Sequence, residues 1–452
     1  MPFATQQEAI EFIFQSRRKL DGEPRGLDED TRNISPTRHL LMATGLPAKA
    51  REYAVVTGSK GKGSVTAITA KLLQSLGHTV GMLTSPHLVS WYERIRINGR
   101  AIPEADFLRI LSDLAPYIEA EEATLTEKQY ISPQGIFLLV ALAWFDENDV
   151  NAAVLEVGRG GRYDDVALVN NRVSLFTPIV MEHAQYLGRS LERIAWHKAG
   201  IIKPQSYAYS LPQAPEVLEM LHHEAEAKEA EFFWFAAMDL GKYLEDTPDG
   251  LRFRLGRYGD CEIPLLGRYE IDNATLAVQA AGNIHGRLKG IGHGSLEYVE
   301  RIRAGLASVR WPGRLHKLED NPQIFVDGAV NVLSLQSTLQ SLSTRWTEPR
   351  VAIAGVPVDR DYPAVYRLLA QHFQHLTLTA TTIHPNIHFP DPEQALVAAR
   401  EFLPATQYAP TLPEALEIAR AQVGSTGTIL MAVAQPLVGE AMLIWKVPME
   451  QI

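Results

Sequence analysis

The residues with the clearest capacity for chemistry are Gly58-Ser59-Lys60-Gly61-Lys62-Gly63-Ser64. They follow the short apolar run Tyr53-Ala54-Val55-Val56-Thr57 and precede Val65, Ile68, Thr69, Leu72, Leu73 and Leu76, which recur at helical spacing until Gly77. A glycine-rich turn between a strand and a helix lets backbone N–H groups approach a polyphosphate. The helix N-terminus adds partial positive charge, Lys62 can reach the β- and γ-phosphates, and a hydroxyl can ligate magnesium. The common phosphate loop places Ser or Thr directly after its lysine; here Gly63 intervenes, so the motif is a variant. A glycine-rich turn with incidental lysines is the bland alternative, and the flanking strand and helix argue against it. By itself the loop points to a bound nucleotide and to no particular reaction.

Further along the chain, Glu156 ends an apolar strand, and Ser64 and Ser85 supply hydroxyls; all three are hard oxygen donors suited to magnesium. His183 alone reads as a satisfied polar core residue, and Lys198 alone reads as a lysine on a helix surface.

The elements that must position these groups alternate. Segments 79–83, 152–157 and 173–179 read as strands, and the apolar stretch from Gly135 to Phe145 reads as a buried helix. Alternation of strands and helices predicts a mostly parallel sheet with helices on both faces. Between Ala214 and Asp260 a charged helix (216–231) leads into short strands with turns at Pro248-Asp249-Gly250 and at Gly256 to Gly259, which predicts a small antiparallel excursion. Helical periodicity returns over 273–281. Residues 305–313, ending in Trp311-Pro312-Gly313, form the linker candidate. Strands at 324–326, 351–354, 376–379 and 428–433 then predict a second, smaller α/β unit. The expected division is 1–308 for the first domain and 309–452 for the second.

Composition restricts the setting. With 452 residues, 46% hydrophobic and 21% charged, the chain is a globular protein of two or three domains. A net charge of −10 argues against a nucleic-acid partner. Cys261 is the single cysteine, so no intrachain disulfide can form and a reducing cytosol is the expected location. The N-terminal segment, with Ile10, Ile13 and Phe14 among Glu8, Glu11, Gln15 and Arg17, reads as an amphipathic helix and not as a secretion signal. No apolar stretch is long enough to suggest a membrane span.

From the loop onward, the sequence resembles the folylpolyglutamate synthase/dihydrofolate synthase family of the Mur ligase superfamily. The resemblance is carried by Thr84-Ser85-Pro86-His87-Leu88 with Glu93-Arg94-Ile95-Arg96-Ile97-Asn98-Gly99, and by Leu155-Glu156-Val157-Gly158-Arg159-Gly160-Gly161-Arg162 with Asp164. It continues through Glu182-His183, Leu187-Gly188 and His197-Lys198-Ala199-Gly200-Ile201-Ile202-Lys203-Pro204. Gly267 to Asn273, Trp311-Pro312-Gly313-Arg314, Asp327-Gly328-Ala329 and Asp359-Arg360-Asp361 complete it. The resemblance implies a central ATPase domain with a phosphate loop plus a smaller Rossmann-like C-terminal domain. It also implies an ATP-dependent carboxylate–amine ligase working through an acyl phosphate, with folate or dihydropteroate and L-glutamate as substrates. In that reading Lys62, Glu156, His183 and Lys198 are catalytic. Gly58, Ser59, Lys60, Gly61, Lys62, Gly63, Ser64, Asn273, Arg314 and Asp327 bind ATP. Ser64, Ser85, Glu156, His183 and Lys198 hold two magnesium ions, Lys198 as its carbamate.

Several positions depart from the family pattern: Ser59-Lys60 for Thr-Asn, Glu182 for the Asp before the metal-binding His, Tyr269-Glu270 for His-Gln, and Val330 for His. Ser132-Pro133-Gln134-Gly135 and Tyr163-Asp164-Asp165-Val166-Ala167 also differ. The ATP-side residues are retained and the acid-side motifs altered. A paralogue joining another small carboxylic acid to an amino acid is therefore the first alternative. A nucleotide-binding scaffold without ligase activity is the alternative from another class.

Overall fold

The computed structural model describes all residues except 1, 23–24, 291–293 and 384–386. In chain order the first strands are β1 (Glu52–Thr57), β2 (Val80–Leu83), β3 (Ile95–Ile97), β4 (Arg100–Ala101), β5 (Ala152–Glu156), β6 (Val173–Phe176), β7 (Tyr207–Ser210) and β8 (Glu231–Trp234). They form one eight-stranded sheet in the order β4-β3-β2-β5-β1-β6-β7-β8. All pairings are parallel from β2 through to β8; β3 and β4 add an antiparallel edge.

Each central strand is apolar on both faces because both faces are covered. Tyr53 and Val55 of β1 point into a core shared with the helix Pro133–Glu147, whereas Ala54 and Val56 point into one built with the helices Lys62–Ser75 and Glu270–Lys289. The period of two in a strand produces this split directly. Pro133–Glu147 is buried nearly all round, with Ile136, Phe137, Leu138, Leu139, Val140, Ala141 and Leu142 at most 1% exposed. Burial of each large side chain there contributes about 1.5–3 kcal/mol.

The excursion predicted between 214 and 260 is present as a three-stranded antiparallel sheet of β9 (Lys242–Thr247), β10 (Gly250–Leu255) and β11 (Gly259–Ile263). Three boundaries differ from the sequence reading. The charged helix spans Pro215–Ala227 and stops short of 231, because Phe232 and Trp234 alternate onto the edge of the main sheet as β8. β6 ends at Phe176, where the chain leaves the ladder toward the site. The helix Leu296–Ala307 runs into the expected linker, burying Gly305 and Leu306.

The second sheet contains β12 (His316–Asp320), β13 (Gln323–Asp327), β14 (Arg350–Gly355), β15 (His375–Leu378), β16 (Gln407–Tyr408) and β17 (Thr428–Val433), in the order β12-β13-β17-β14-β15-β16. Only β12 is antiparallel. Phe325, Ala352 and Leu430 face one core, and Ile324, Val351 and Ile429 the other.

The end of the chain returns to the first sheet. Arg96, 1% exposed, donates to Met449 O (2.7 Å) and Glu450 O (3.3 Å), while Ala101 N donates to Glu450 O (2.9 Å). Those carbonyls and Gly99 O take up both terminal nitrogens of the buried guanidinium, while its Nε is left without a partner among the described residues. No helix among the described residues is long and apolar enough to cross a membrane.

His78, 3% exposed, sits just past the helix Lys62–Ser75 with its Nε2 2.9 Å from His285 Nδ1. Burial, then His285 and Lys289, lower its pKa to about 4. The native value lies below the unfolded one, so the unfolded state binds more protons between them and stability falls as pH drops from about 6.5 to 4. This one residue contributes up to about 1.4 kcal/mol per pH unit within that window. Urea unfolding of wild type and His78→Asn across pH 4–7 is expected to give a shallower pH slope for the variant.

Candidate active site

The central position of β1, between β5 and β6, brings the ends of three strands together. Val56 is level with Glu156, and Thr57 with Phe176. The segments that follow these strands (58–61, 157–165 and 177–183) therefore emerge side by side at the C-terminal edge of a parallel sheet, where ligands of such folds bind.

Gly58 has φ +139° and Gly61 φ +87°, backbone conformations that side-chain-bearing residues rarely adopt. A Cβ on Gly58 would lie 1.9 Å from Thr177 Oγ1 and 2.7 Å from Thr177 O. Thr57 Oγ1 donates to Gly160 O (2.6 Å) and Ser59 N to Pro178 O (2.8 Å), which ties the loop to both neighbouring segments. Gly61 caps the helix Lys62–Ser75 without a side-chain partner, leaving its first-turn N–H groups for an anion. Trp311 covers Gly63, its ring 3.0 Å from where a Cβ would sit.

Around this loop the expected residues converge. Lys62 Nζ donates to Gly58 O at 3.1 Å. Glu156, 5% exposed, accepts from Ser85 N at 3.1 Å. Burial pushes its carboxyl above the ordinary value, while Lys62, the Ser85 N–H, Arg314 and Arg94 pull the other way. Lys198, 1% exposed on the helix Leu191–Ala199, donates to Gly58 O at 2.7 Å and to Glu182 Oε1 at 3.3 Å. Burial, and then Lys62, lower its pKa to about 8. His183 is held in the left-handed conformation (φ +50°) before the short helix Ala184–Leu187. The residue is exposed at the rim of the cleft; desolvation by its neighbours, opposed by Glu182 and aided by Arg159, Lys198 and Lys62, lowers its pKa to about 4, which leaves the imidazole uncharged at neutral pH.

From the second unit, Asp327 ends β13 and accepts from Leu315 N (2.7 Å) and the Tyr269 hydroxyl (3.3 Å). Arg314 precedes Leu315 and acts on both Glu156 and Asp327 as a neighbouring positive charge. Lys60, desolvated and with its charge opposed by Lys62, Arg360 and Arg314, has a pKa below the ordinary lysine value. Asn273 lies against the loop, its Oδ1 2.7 Å from the Cβ position of Gly61.

Ser64 departs from the simplest expectation, since its hydroxyl donates to Glu270 Oε1 (2.8 Å). Sequence reasoning also passed over Glu182 as the partner of Lys198. It missed Arg94, which is stacked between Trp91 and Phe137 at 4.5 and 4.8 Å and donates to His87 Nδ1 (3.1 Å). The adjacency of Glu182 to His183 was the available signal for the first; Arg94 lies within the family-like segment Glu93 to Gly99, which by itself gives it no role. Val330 packs against the core of the second sheet, and Asn331 caps the helix Val332–Leu342 through Ser334 N (3.0 Å).

No group of three His, Cys, Asp or Glu side chains able to hold a metal ion occurs among the described residues. The donors expected for magnesium, Glu156, His183, Ser64 and Ser85, would leave much of its shell to phosphate oxygens, in keeping with the few protein ligands magnesium takes beside a polyphosphate.

A phosphate loop, a strand-end carboxylate and a buried lysine at the edge of a mostly parallel sheet, with a second α/β unit against them, define a Mur-type ligase, and the Mur ligase middle domain family matches residues 56–281. The dihydrofolate synthase/folylpolyglutamate synthase of Bacillus subtilis is 30% identical over 359 residues, covering 78% of this chain and 79% of the relative. The folylpolyglutamate synthase of Lacticaseibacillus casei is 30% identical over 351 residues, covering 75% and 79%. The structure of Mycobacterium tuberculosis folylpolyglutamate synthase complexed with ADP superposes with a TM-score of 0.83 at 26% identity, covering 97% of this chain and 99% of that one. The chain belongs to the folylpolyglutamate synthase/dihydrofolate synthase family of Mur ligases.

Gly58→Ala forces a side chain into Thr177 and a strained φ, at a cost of order 1–3 kcal/mol for the conformation alone. The expected outcome is a lowered melting temperature together with loss of ADP binding by titration calorimetry.

Proposed function

We propose that this chain is an ATP-dependent acid–amino-acid ligase that phosphorylates the carboxylate of a folate or dihydropteroate and joins it to the amine of L-glutamate. The observation that carries this reading is that Lys62 and Lys198 both donate to Gly58 O, while Glu156 and His183 lie near enough to feel the Lys62 charge, in a chain of this family. Residues 1–308 serve as the ATP-binding domain and 309–452 as the domain that closes on it.

In this reading the loop N–H groups and the helix N-terminus hold the phosphates, with Lys62 on the transferring group and Lys60 and Arg314 beside it. Asn273 contacts the adenine, and Asp327 fixes the nucleotide from the second domain. Ser64, Ser85, Glu156 and His183 would hold magnesium, which when bound neutralises charge on the β- and γ-phosphates. Arg94, beside Glu156, is placed to attract the acid substrate's carboxylate. Closure of the second domain excludes water from the acyl phosphate until the amine attacks.

Lys198 is the proposed carbamate. Its amine nitrogen bonds to the carbon of CO2 and releases one proton, turning a cation into a carboxylate that adds to the short donor set. A pKa near 8 leaves a useful neutral fraction at physiological pH, and burial protects the product.

A second reading, ligation of a different acid, rests on the segment Tyr163 to Ala167, which departs from the family pattern.

Phosphate release from ATP and magnesium, with dihydropteroate or folate and L-glutamate, tests the substrate assignment; no glutamyl product with either acid would overturn it. Lys198→Ala is expected to lower turnover by at least 10²-fold, with partial recovery in millimolar formate or acetate. Undiminished turnover in Lys198→Ala would remove the carbamate from the scheme.

A further inference from the structure

Glu270 joins the two ends of the candidate nucleotide site. It is fully buried (0% exposed) in the first turn of the helix Glu270–Lys289. Its oxygens are used separately: Oε1 accepts from Ser64 Oγ at 2.8 Å and Oε2 from Asn273 Nδ2 at 2.9 Å. The turn is also anchored to the second unit, because the adjacent Tyr269 hydroxyl donates to Asp327.

In its carboxylate form Glu270 only accepts hydrogen bonds. Both partners must therefore donate to it. The single proton of Ser64 is committed to Glu270, so toward the loop the hydroxyl offers lone pairs alone. One of the two N–H groups of Asn273 is likewise committed, which orients the amide so that Oδ1 faces Gly61, as the 2.7 Å approach to that glycine's Cβ position records. An amide at 270 would impose neither constraint. Its own NH2 could donate to Ser64, and its oxygen and nitrogen could exchange places with those of Asn273.

We propose that Glu270 is a positioning residue that sets the hydrogen-bond polarity of both ends of the site, making Ser64 a lone-pair ligand for a divalent cation and Asn273 an acceptor for an exocyclic amine on the nucleobase. The proposal rests on the reading of this cleft as a magnesium–nucleotide site. It assigns base selectivity to a residue that touches neither base nor phosphate.

The test uses the full chain at pH 8.5, with Mn2+ binding in the presence of ADP followed by electron paramagnetic resonance, and ADP and IDP affinities measured by calorimetry. Glu270→Gln is expected to weaken Mn2+ roughly tenfold and to lower the ADP-over-IDP preference by a similar factor, the size of one misdirected hydrogen bond at each end. In a Ser64→Ala background, Glu270→Gln should cost no further Mn2+ affinity; a second, additive loss would mean a merely structural role and overturn the proposal. Glu270→Asp keeps an acceptor-only group and is expected to retain the preference for ADP, so its loss there would also overturn it. Wild-type binding with unchanged Mn2+ affinity and base preference in Glu270→Gln removes this inference alone. Failure of wild type to bind ADP removes the nucleotide reading and this inference together.

Discussion

The position of β1 between β5 and β6 is the constraint on which the site depends. The parallel register sets Val56 level with Glu156 and Thr57 level with Phe176. The loop, the acidic strand end and the segment leading to His183 thus leave the sheet within reach of one another. The approach is so close that Gly58 has no room for a side chain beside Thr177. Once that contact is made, the direction of the helix Lys62–Ser75 follows, and with it the free N–H groups that an anion requires.

The charges around this loop are arranged at an electrostatic cost. Glu156, Glu270 and Asp327 are buried carboxyls whose pKa values burial raises, while burial lowers that of Lys198; Lys60 and His183, at the exposed rim, are shifted down as well. Opposed shifts of this kind concentrate where acid, base and ligand roles are needed together. They also explain why the surrounding framework is tied so firmly. Arg159 donates to Asp28 at 3.0 Å and Arg32 lies 3.6 Å from Asp164, fastening the N-terminal segment to the loop after β5. Arg96 fastens the end of the chain to β3 and its neighbouring turn. Groups that must be held out of water need walls that do not give way.

Glu270 and Glu182 illustrate how departures from a family pattern gain meaning in three dimensions. In the sequence each is one substituted position in a motif. In the structure Glu270 accepts a hydrogen bond from Ser64, and Glu182 pairs with Lys198. Val330 meets the opposite fate: the position of an expected imidazole is filled by packing against the second core. Spacing along the chain cannot separate these outcomes, because the partners lie 206 residues away for Glu270 and 16 for Glu182.

The sequence by itself determined the alternating α/β pattern, the phosphate loop and its helix, the buried helix at 135–145 and the family. Each of these rests on local periodicity or on a contiguous motif, which is information carried within a few turns of chain. It misjudged where the charged helix gives way to β8 and where the linker begins, since edge pairing of Phe232 and Trp234 and burial of Leu306 are decided by neighbours distant in sequence. Only the tertiary structure decided that Ser64 spends its proton on Glu270, that Lys198 is buried against Gly58, and that Arg94 is stacked beside the acidic strand end. Hydrogen-bond polarity and desolvation belong to the packed site, and they arise only when separate strand ends are brought together at one edge of the sheet.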